Sequence, residues 1–295
     1  MLKLLLPTGS LEKPTFEMFE GANLPVTSLG SRSYQAKIDD PRIAEVRLMR
    51  PQEIPIYVGA GLFDLGIAGL DWVLERDCQD KVVQIADLPY SRGSNKPVRI
   101  VVAVSNDSPF QRPEDIPAGS KVTTEYVNLT EKYFKSLNIP VKVEFSYGTT
   151  EAKVPEIYDV AVELTEKGET LRANNLKIIG EIVVSSTKLI ANKASYEDPE
   201  KRIAIDELNT LLQGTLEARG KVLIKLNVRK ECLDDLINAI PAMKAPTVSQ
   251  LMTEGTQYYA VESVVQKDGI NVLIPKLKRL GAEDIIELPI SKVVR

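Results

Sequence analysis

The chain of 295 residues contains no histidine. That absence excludes imidazole general bases, Ser-His-Asp triads, His-ligated zinc and phospho-histidine chemistry. Any catalysis must rest on carboxylates, lysines, backbone dipoles or a hard metal ion. Cysteine is nearly missing as well. Cys78 and Cys232 lie far apart without CxxC spacing, so two ordinary thiols are expected, not a disulfide framework or a thiolate metal site. There is no surplus of positive charge: 37 Lys and Arg face 41 Asp and Glu, a formal net charge of −4. Such a balance gives no footprint for a nucleic-acid backbone, and no nucleic-acid partner is expected. Long hydrophobic runs are also lacking. The amino terminus, Met1-Leu2-Lys3-Leu4-Leu5-Leu6, is too short an apolar stretch for a signal-peptide core or a membrane span, so a cytoplasmic protein without membrane association is expected.

What remains is an ordinary globular composition, 43% hydrophobic and 26% charged, over a length that suits two or three domains. The first half alternates short apolar runs with helical patterns, the signature of an α/β fold with a largely parallel sheet. Leu2 to Leu6 reads as a buried strand ending at the turn Pro7-Thr8-Gly9-Ser10, followed by a helix over Thr15 to Gly21. A helical turn beginning near Pro55 leads to Asp64-Leu65-Gly66-Ile67-Ala68-Gly69, a short buried strand feeding a helix with Asp71 as its N-cap. Val98 to Ser105 is β-branched almost throughout and predicts a central strand buried on both faces. Lys121 to Thr124, Val141 to Phe145 and Asp159 to Leu164 predict further strands, with a helix over Leu129 to Leu137 and strand-rich chain over Leu176 to Leu189. Ala194 to Arg202, with Ser195, Asp198 and Pro199, reads as an exposed connection before helix resumes at Ile203.

The last 75 or so residues have a distinct order. Val222 to Val228 predicts a strand, and Leu233, Leu236, Ile237 and Ile240 follow as one face of a helix. Two strands come next, Thr247 to Leu251 and Tyr258 to Val265. A second helical stripe, Ile270 to Leu280, is closed by Gly281 as a C′ glycine and followed by a strand from Asp284 to Leu288. The order is βαββαβ, the ferredoxin-like arrangement.

The stretch Asp159-Val-Ala-Val-Glu163-Leu-Thr-Glu-Lys167-Gly168-Glu-Thr170 carries the most chemical information. A strand ending in a carboxylate, then a glycine turn, then a helix start can hold a phosphorylated ribose. Backbone N–H groups near Gly168 and Thr170 would face a phosphate at the positive end of a helix dipole, helped by the Thr170 hydroxyl and the Lys167 charge. Glu163 could accept hydrogen bonds from ribose hydroxyls. A solvated strand-turn-helix with a routine glutamate has the same sequence appearance.

Residues 159 to 174 resemble the D-x-x-x-D-x-x-x-T-G-x-T-L-x-x-N segment with which ATP phosphoribosyltransferases grip phosphoribosyl diphosphate. Glu163 stands for the second aspartate and Lys167 for the threonine before glycine. The resemblance implies phosphoribosyl diphosphate contacts from Asp159, Glu163, Thr165, Lys167, Gly168, Glu169, Thr170 and Leu171. Arg50-Pro-Gln-Glu-Ile-Pro-Ile-Tyr-Val58 and Asp64-Leu-Gly-Ile67 are similar to the family's R-P-x-D-I-P-x-Y-V and D-L-G-I segments. Thr124-Glu125-Tyr126 and Gly148-Thr-Thr-Glu151 match further cleft segments. ATP contacts are thereby implied for Arg50, Asp64, Leu65, Gly66, Glu125, Tyr126 and Glu151. The first loop departs from the family: Pro7-Thr8-Gly9-Ser10-Leu11 stands where P-K-G-R-L is usual.

Ile240-Pro-Ala-Met-Lys-Ala-Pro-Thr-Val-Ser-Gln-Leu251, Ala260 to Val265 and Lys276 to Ile290 resemble the regulatory domain of the family's long form. By that resemblance Asn227, Met243, Ala245, Thr247 and Val264 face a feedback-inhibiting histidine, although a plain sheet packing surface would look alike. The implied fold is α/β, with a two-domain catalytic half similar to periplasmic binding proteins plus a C-terminal ferredoxin-like domain. Its boundaries would be 1–95 with 186–212, then 96–185, then 215–295. The implied reaction joins ATP to phosphoribosyl diphosphate and releases diphosphate, with Mg²⁺ as cofactor and no metal motif in the protein. Dimers gathering into hexamers are implied as well. A cytosolic small-molecule sensor on the same fold is the alternative.

Overall fold

The computed structural model describes residues 1–30, 33–90, 97–243, 245–252 and 255–295. It divides into two compact units, Met1–Asn209 and Thr210–Arg295.

In the first unit the strands are β1 (Leu2–Pro7), β2 (Thr27–Ser28), β3 (Gln35–Lys37), β4 (Ile43–Met49), β5 (Leu65–Gly69), β6 (Val82–Leu88), β7 (Val98–Ser105), β8 (Lys121–Thr124), β9 (Lys142–Phe145), β10 (Val160–Thr165), β11 (Leu176–Ser185) and β12 (Thr187–Asn192). The helices are α1 (Glu12–Gly21), α2 (Ile54–Gly59), α3 (Leu70–Glu75), α4 (Val127–Ser136), α5 (Glu169–Ala173), α6 (Lys193–Glu197) and α7, Pro199–Ala218, which crosses the division. The strands form two mixed sheets, ordered β2-β3-β4-β1-β5-β12-β6 and β11-β7-β10-β8-β9. The chain therefore leaves the first sheet after β6 and returns to it at Ser186, between β11 and β12. The expected boundary at 95/96 falls within residues 91–96, outside the described residues.

The reading of Val98 to Ser105 as a strand buried on both faces holds. Ile100, Val102 and Val104 pack into one cluster with Trp72, Tyr126 and Phe134, while Val101 and Ala103 pack into another with Ala161, Leu171 and Leu176. Each such side chain contributes about 1.5–3 kcal/mol by leaving water. Glycine has a packing reason at Gly66: a Cβ there would lie 2.7 Å from Ile54 Cγ2 and 2.9 Å from Val58 Cγ2, so its absence lets α2 lie directly on β5.

Two local expectations need correction. Ala194 to Arg202 is not an open connection but two helices. The Asn192 side chain accepts the Ser195 N–H at 3.0 Å, and the Asp198 carboxylate accepts those of Glu200 and Lys201 at 3.0 Å each. The polar residues and Pro199 that suggest a loop are helix-start residues here. Asp71 is likewise not the N-cap of α3, a place taken by Gly69. It lies in the first turn, buried, with its carboxylate engaged elsewhere.

The second unit contains β13 (Lys221–Arg229), α8 (Leu233–Ala239), β14 (Thr247–Gln250), β15 (Tyr258–Gln266), α9 (Ile270–Arg279) and β16 (Glu283–Pro289). Its sheet is antiparallel throughout, in the order β14-β15-β13-β16, which with two helices on one face is the ferredoxin-like arrangement. Alternate residues of β13, from Val222 to Val228, pack with Leu236 of α8 and with Leu273 and Leu277 of α9. Gly281 closes α9 at φ 91°.

Candidate functional site

Three strands of the second sheet end side by side. β8 runs parallel to both β9 and β10, so their C-terminal ends carry Glu125 and Tyr126, Ser146 to Glu151, and Glu163 to Thr165 to one edge. In open α/β sheets this edge is where ligands bind. Burial pushes the Glu163 carboxyl above its ordinary range. Hydrogen bonds from the Thr150 hydroxyl and the Leu164 N–H partly offset that, and the nearby Glu125 and Glu151 raise it further. Among the described residues no group of three or more histidine, cysteine, aspartate or glutamate side chains is arranged to hold a metal ion.

Beyond Glu163 the chain makes a tight turn into α5. The Gly168 N–H donates to Thr165 Oγ1 at 2.8 Å, and Gly168 adopts φ 74°, a left-handed conformation that costs glycine little. No side chain caps α5, and Lys167, Glu169 and Thr170 are exposed beside its start.

A cleft of about 1110 Å³ opens between the two sheets of this unit. Thr8 to Glu12 and Arg47 to Glu53 form one wall, and Leu164, Val184 and Ser185 contribute from the second sheet. Asp71 reaches it from α3, 3% exposed. Its carboxylate accepts the Ser185 hydroxyl at 2.5 Å and the Tyr126 hydroxyl at 2.9 Å. Next to it Trp72 stacks on Tyr126 at 4.6 Å between ring centroids. Glu75, one turn on, accepts the N–H groups of Asn128 at 3.1 Å and Leu129 at 2.9 Å, capping α4 from outside its own chain segment. Burial lifts the Glu75 carboxyl above its usual value despite those bonds.

Residues 50–214 match the family model described as ATP phosphoribosyltransferase, and residues 218–292 match the one described as HisG, C-terminal domain. The chain is 45% identical over 293 residues to the ATP phosphoribosyltransferase of Pelotomaculum thermopropionicum, covering 99% of each chain. It is 47% identical over 294 residues to that of Chlorobaculum parvum, covering 100% of this chain and 98% of the other. The chain belongs to the ATP phosphoribosyltransferase family. Its activity is accordingly phosphoribosyl transfer to ATP in histidine biosynthesis, a glycosyltransferase-type reaction. Among solved structures it is similar to the ATP phosphoribosyl transferase (HisG:HisZ) complex from Thermotoga maritima. There the identity is 25% and the TM-score 0.61, over 72% of this chain and 99% of that one.

With the ATP phosphoribosyltransferase family established, the residues expected from its motifs fall into two groups. Glu163, Lys167, Gly168, Glu169 and Thr170 meet at the end of β10, with Glu125 and Glu151 close enough to act on the Glu163 charge. Thr165 closes the turn with its hydroxyl, and Arg50 lines the cleft. The others lie elsewhere. Asp159 precedes β10 at its opposite end, where its carboxylate accepts the Lys121 N–H at 2.8 Å. Leu171 is 2% exposed in the core.

Asp64, Leu65 and Gly66 do not line the cleft, being buried at the start of β5. Asp64 accepts the Lys3 N–H at 2.7 Å, the Ser195 hydroxyl at 2.6 Å and the Lys201 ammonium at 2.7 Å. Burial pushes its carboxyl up, but Lys201, Ser195 and the Lys3 N–H together leave it below the ordinary value. Tyr126 is 2% exposed, its ring committed to Trp72 and its hydroxyl to Asp71.

The cleft residues that sequence reasoning missed are Arg47, Asp71, Asp87 and Ser185. Asp71 carried a signal that pointed to a cap; the others follow or end strands whose far partners the sequence does not reveal.

In the second unit the strand register sets Asn227, Ala260, Glu262, Val264 and Thr247 on the sheet face turned away from the helices. Asn227 Nδ2 donates to Asp284 Oδ2 at 3.0 Å. Met243 and Ala245 are exposed just before β14, and Lys244 of the same motif lies outside the described residues. No described helix is long and apolar enough to cross a membrane.

Proposed function

We propose that the edge formed by β8, β9 and β10 binds phosphoribosyl diphosphate and that the cleft at Arg50 takes ATP. The observation carrying this reading is the meeting of a buried carboxylate, Glu163, with an uncapped helix start and an exposed Lys167 and Thr170. Glu163 accepts hydrogen bonds from the ribose hydroxyls. The N–H groups that open α5, the Thr170 hydroxyl and the Lys167 ammonium hold the 5′-phosphate.

In the reaction, N1 of the adenine attacks C1 of the ribose as the bond to diphosphate breaks, through an oxocarbenium-like state. No covalent enzyme nucleophile is needed, which suits a chain without histidine. The protein's part is alignment of two substrates and stabilisation of charge. Glu163, on this reading, favours the positive ribose, and Arg47 and Arg50 favour the ATP phosphates.

Mg²⁺ enters as a companion of the diphosphate, neutralising its charge. Magnesium keeps several waters and is usually held by few carboxylates plus substrate phosphates, so it does not require a closed protein cage. Residues 1–95 with 186–212 and 96–185 serve as the two catalytic domains, and 215–295 as a regulatory domain. There Asn227, Met243, Ala245, Thr247 and Val264 receive histidine as feedback inhibitor, within a cytoplasmic homo-oligomer of dimers and hexamers.

Product formation from ATP and phosphoribosyl diphosphate tests the reading. Phosphoribosyl-ATP is expected with Mg²⁺ and none in excess chelator; equal rates in both defeat the metal's role, and no product in either defeats the substrate assignment. Histidine is expected to inhibit wild type more strongly than Thr247→Val, which keeps the side-chain shape and removes one hydroxyl. Equal inhibition removes Thr247 from the regulatory site.

A further inference from the structure

Behind Glu163 runs a line of polar side chains that the substrate contacts do not use. Ser146 follows β9 and is 0% exposed; Thr150 is 1% exposed and opens a single 3-10 turn, Thr150–Lys153. The Lys153 ammonium donates to Ser146 Oγ at 2.7 Å, Ser146 Oγ and Thr150 Oγ1 are 2.9 Å apart, and the Thr150 hydroxyl bonds to Glu163. Two consecutive left-handed residues, Gly148 at φ 119° and Thr149 at φ 48°, turn the chain so that Thr150 meets both partners.

The chemistry of the two ends fixes the direction of the line. An ammonium only donates and a carboxylate only accepts. Lys153 must therefore give a proton to the hydrogen bond with Ser146, and Thr150 must give its own to Glu163. Thr150 Oγ1 is then free to accept the Ser146 hydroxyl. The other acceptor within reach of Ser146, the Gly148 carbonyl, is farther, at 3.2 Å. All bonds point one way, from cation to anion, and hydroxyls in such a chain polarise one another.

We infer that Lys153, Ser146 and Thr150 form a positioning chain that holds the Glu163 carboxylate as an acceptor aimed at the ribose. The inference rests on the assignment of Glu163 to the phosphoribosyl substrate made above. Neither Ser146 nor Thr150 touches that substrate. The chain acts on a carboxylate whose surroundings otherwise oppose its charge. Glu125 and Tyr126 face it from the end of β8, and Glu151 from the turn itself. Burial and the two glutamates favour its protonated form. Across the ladder, its partner on β7 is the apolar Val101. Lys153 is the cation linked to it, through two buried hydroxyls.

Steady-state kinetics of the full-length protein across pH test the chain. Thr150→Val and Lys153→Met should each raise KM for phosphoribosyl diphosphate about tenfold while moving KM for ATP by less than about twofold, the scale of one hydrogen bond to a charged group. The acid limb of the pH profile of kcat/KM for phosphoribosyl diphosphate should move to higher pH in both, because the carboxylate then takes up its proton more readily. Lys153→Arg should restore most of the wild-type profile.

A merely structural role would raise both KM values together and leave the acid limb in place, and that outcome overturns the inference. If Thr150→Val does not fold, Lys153→Met decides the matter alone, since Lys153 is only half-buried. Glu163→Gln separates the two levels. If it leaves KM for phosphoribosyl diphosphate unchanged, the reading of Glu163 itself fails. If it raises that KM while Lys153→Met is silent, only the positioning chain fails. With both readings right, Glu163→Gln combined with Lys153→Met should be no worse than Glu163→Gln alone.

Discussion

Asp64 stands before β5 and Glu163 near the end of β10, each in a sequence stretch that matches a family motif. Their surroundings are opposite. Asp64 is surrounded by donors from three chain segments, Lys3 of β1, Ser195 of α6 and Lys201 of α7, and its carboxyl is held below its ordinary value. Glu163 has two glutamates for charged neighbours, and its carboxyl is held above. The difference follows from which end of a parallel strand each occupies. C-terminal ends open toward ligands in such sheets, while N-terminal ends are closed by packing and by buried ion pairs. A motif shared across a family therefore marks a fold constraint at one position and a binding group at the other.

Removing each carboxylate should separate these roles, with the largest effect at Asp64. Asp64→Ala leaves Lys201 without its partner and the Lys3 N–H and Ser195 hydroxyl without an acceptor. The loss should be about 3 kcal/mol of stability, as for breaking one side of a buried ion pair. In urea denaturation the first unit should unfold at a clearly lower midpoint. KM for both substrates, measured on the folded protein at low temperature, should stay near wild type. A selective rise in KM for ATP would return Asp64 to the substrate site.

Glu163→Gln should show the converse pattern. We expect kcat/KM for phosphoribosyl diphosphate to fall by about 100-fold, the scale of losing one group that meets charge developing in the transition state. The urea midpoint at neutral pH should stay equal or rise, because a carboxylate held above its ordinary pKa opposes folding when charged. A large loss of stability would make Glu163 a second structural anchor and dissolve the contrast.

The glycines of the two motifs extend the comparison at smaller scale. Gly66→Ala forces a methyl against Ile54 and Val58 at under 3 Å and should cost about 1–3 kcal/mol without changing either KM. Gly168→Ala meets only Arg172 Nη1 at 3.3 Å and Ile178 Cδ1 at 3.4 Å, but it must hold a left-handed backbone at φ 74°, at about 1 kcal/mol. Its effect should appear as a several-fold rise in KM for phosphoribosyl diphosphate, since the turn it strains is the one proposed to hold the phosphate. Equal KM shifts at the two positions would break the distinction.

Much of this architecture was legible in the residue order, for reasons that differ from place to place. The βαββαβ unit was readable because its helices carry clear apolar stripes at Leu233 to Ile240 and Ile270 to Leu280, and Gly281 ends the second with a left-handed turn. β7 was readable because a strand covered on both faces is apolar without alternation. The end of β10 was readable because a carboxylate, a glycine turn and a helix start follow within a few residues. Asp64 was misplaced because its partner Lys201 lies 137 residues away, and nothing local separates a carboxylate that faces a ligand from one that faces a distant lysine. Asp71 was misjudged for the same reason, its partners Tyr126 and Ser185 lying 55 and 114 residues on. β4 and β6 drew no individual expectation, because their alternation is interrupted by the partly buried residues that border the cleft.

The smallest expected effect is a difference in the sign of two pH dependences. The folded pKa of Asp64 is depressed below that of the unfolded chain, near the ordinary value of about 3.9. Its contribution to stability is therefore present above that value and is lost as pH falls through the lower folded pKa. Glu163 has a raised folded pKa, so its protonation favours the folded state. That contribution is complete below the unfolded value of about 4.3 and is lost as pH rises through the folded pKa. Urea midpoints of wild type, Asp64→Asn and Glu163→Gln, taken in steps from pH 7 to the most acid value at which all three fold, should then diverge in opposite senses. The advantage of wild type over Asp64→Asn should shrink toward acid, as the wild-type carboxylate takes up a proton and gives up its ion pair with Lys201. The standing of wild type relative to Glu163→Gln should improve over the same range, as the buried carboxylate loses the charge that burial and the two neighbouring glutamates oppose. Parallel curves for the two variants would mean that the strand ends do not set the electrostatics of these carboxylates, and the explanation offered for their different roles would fall with that result.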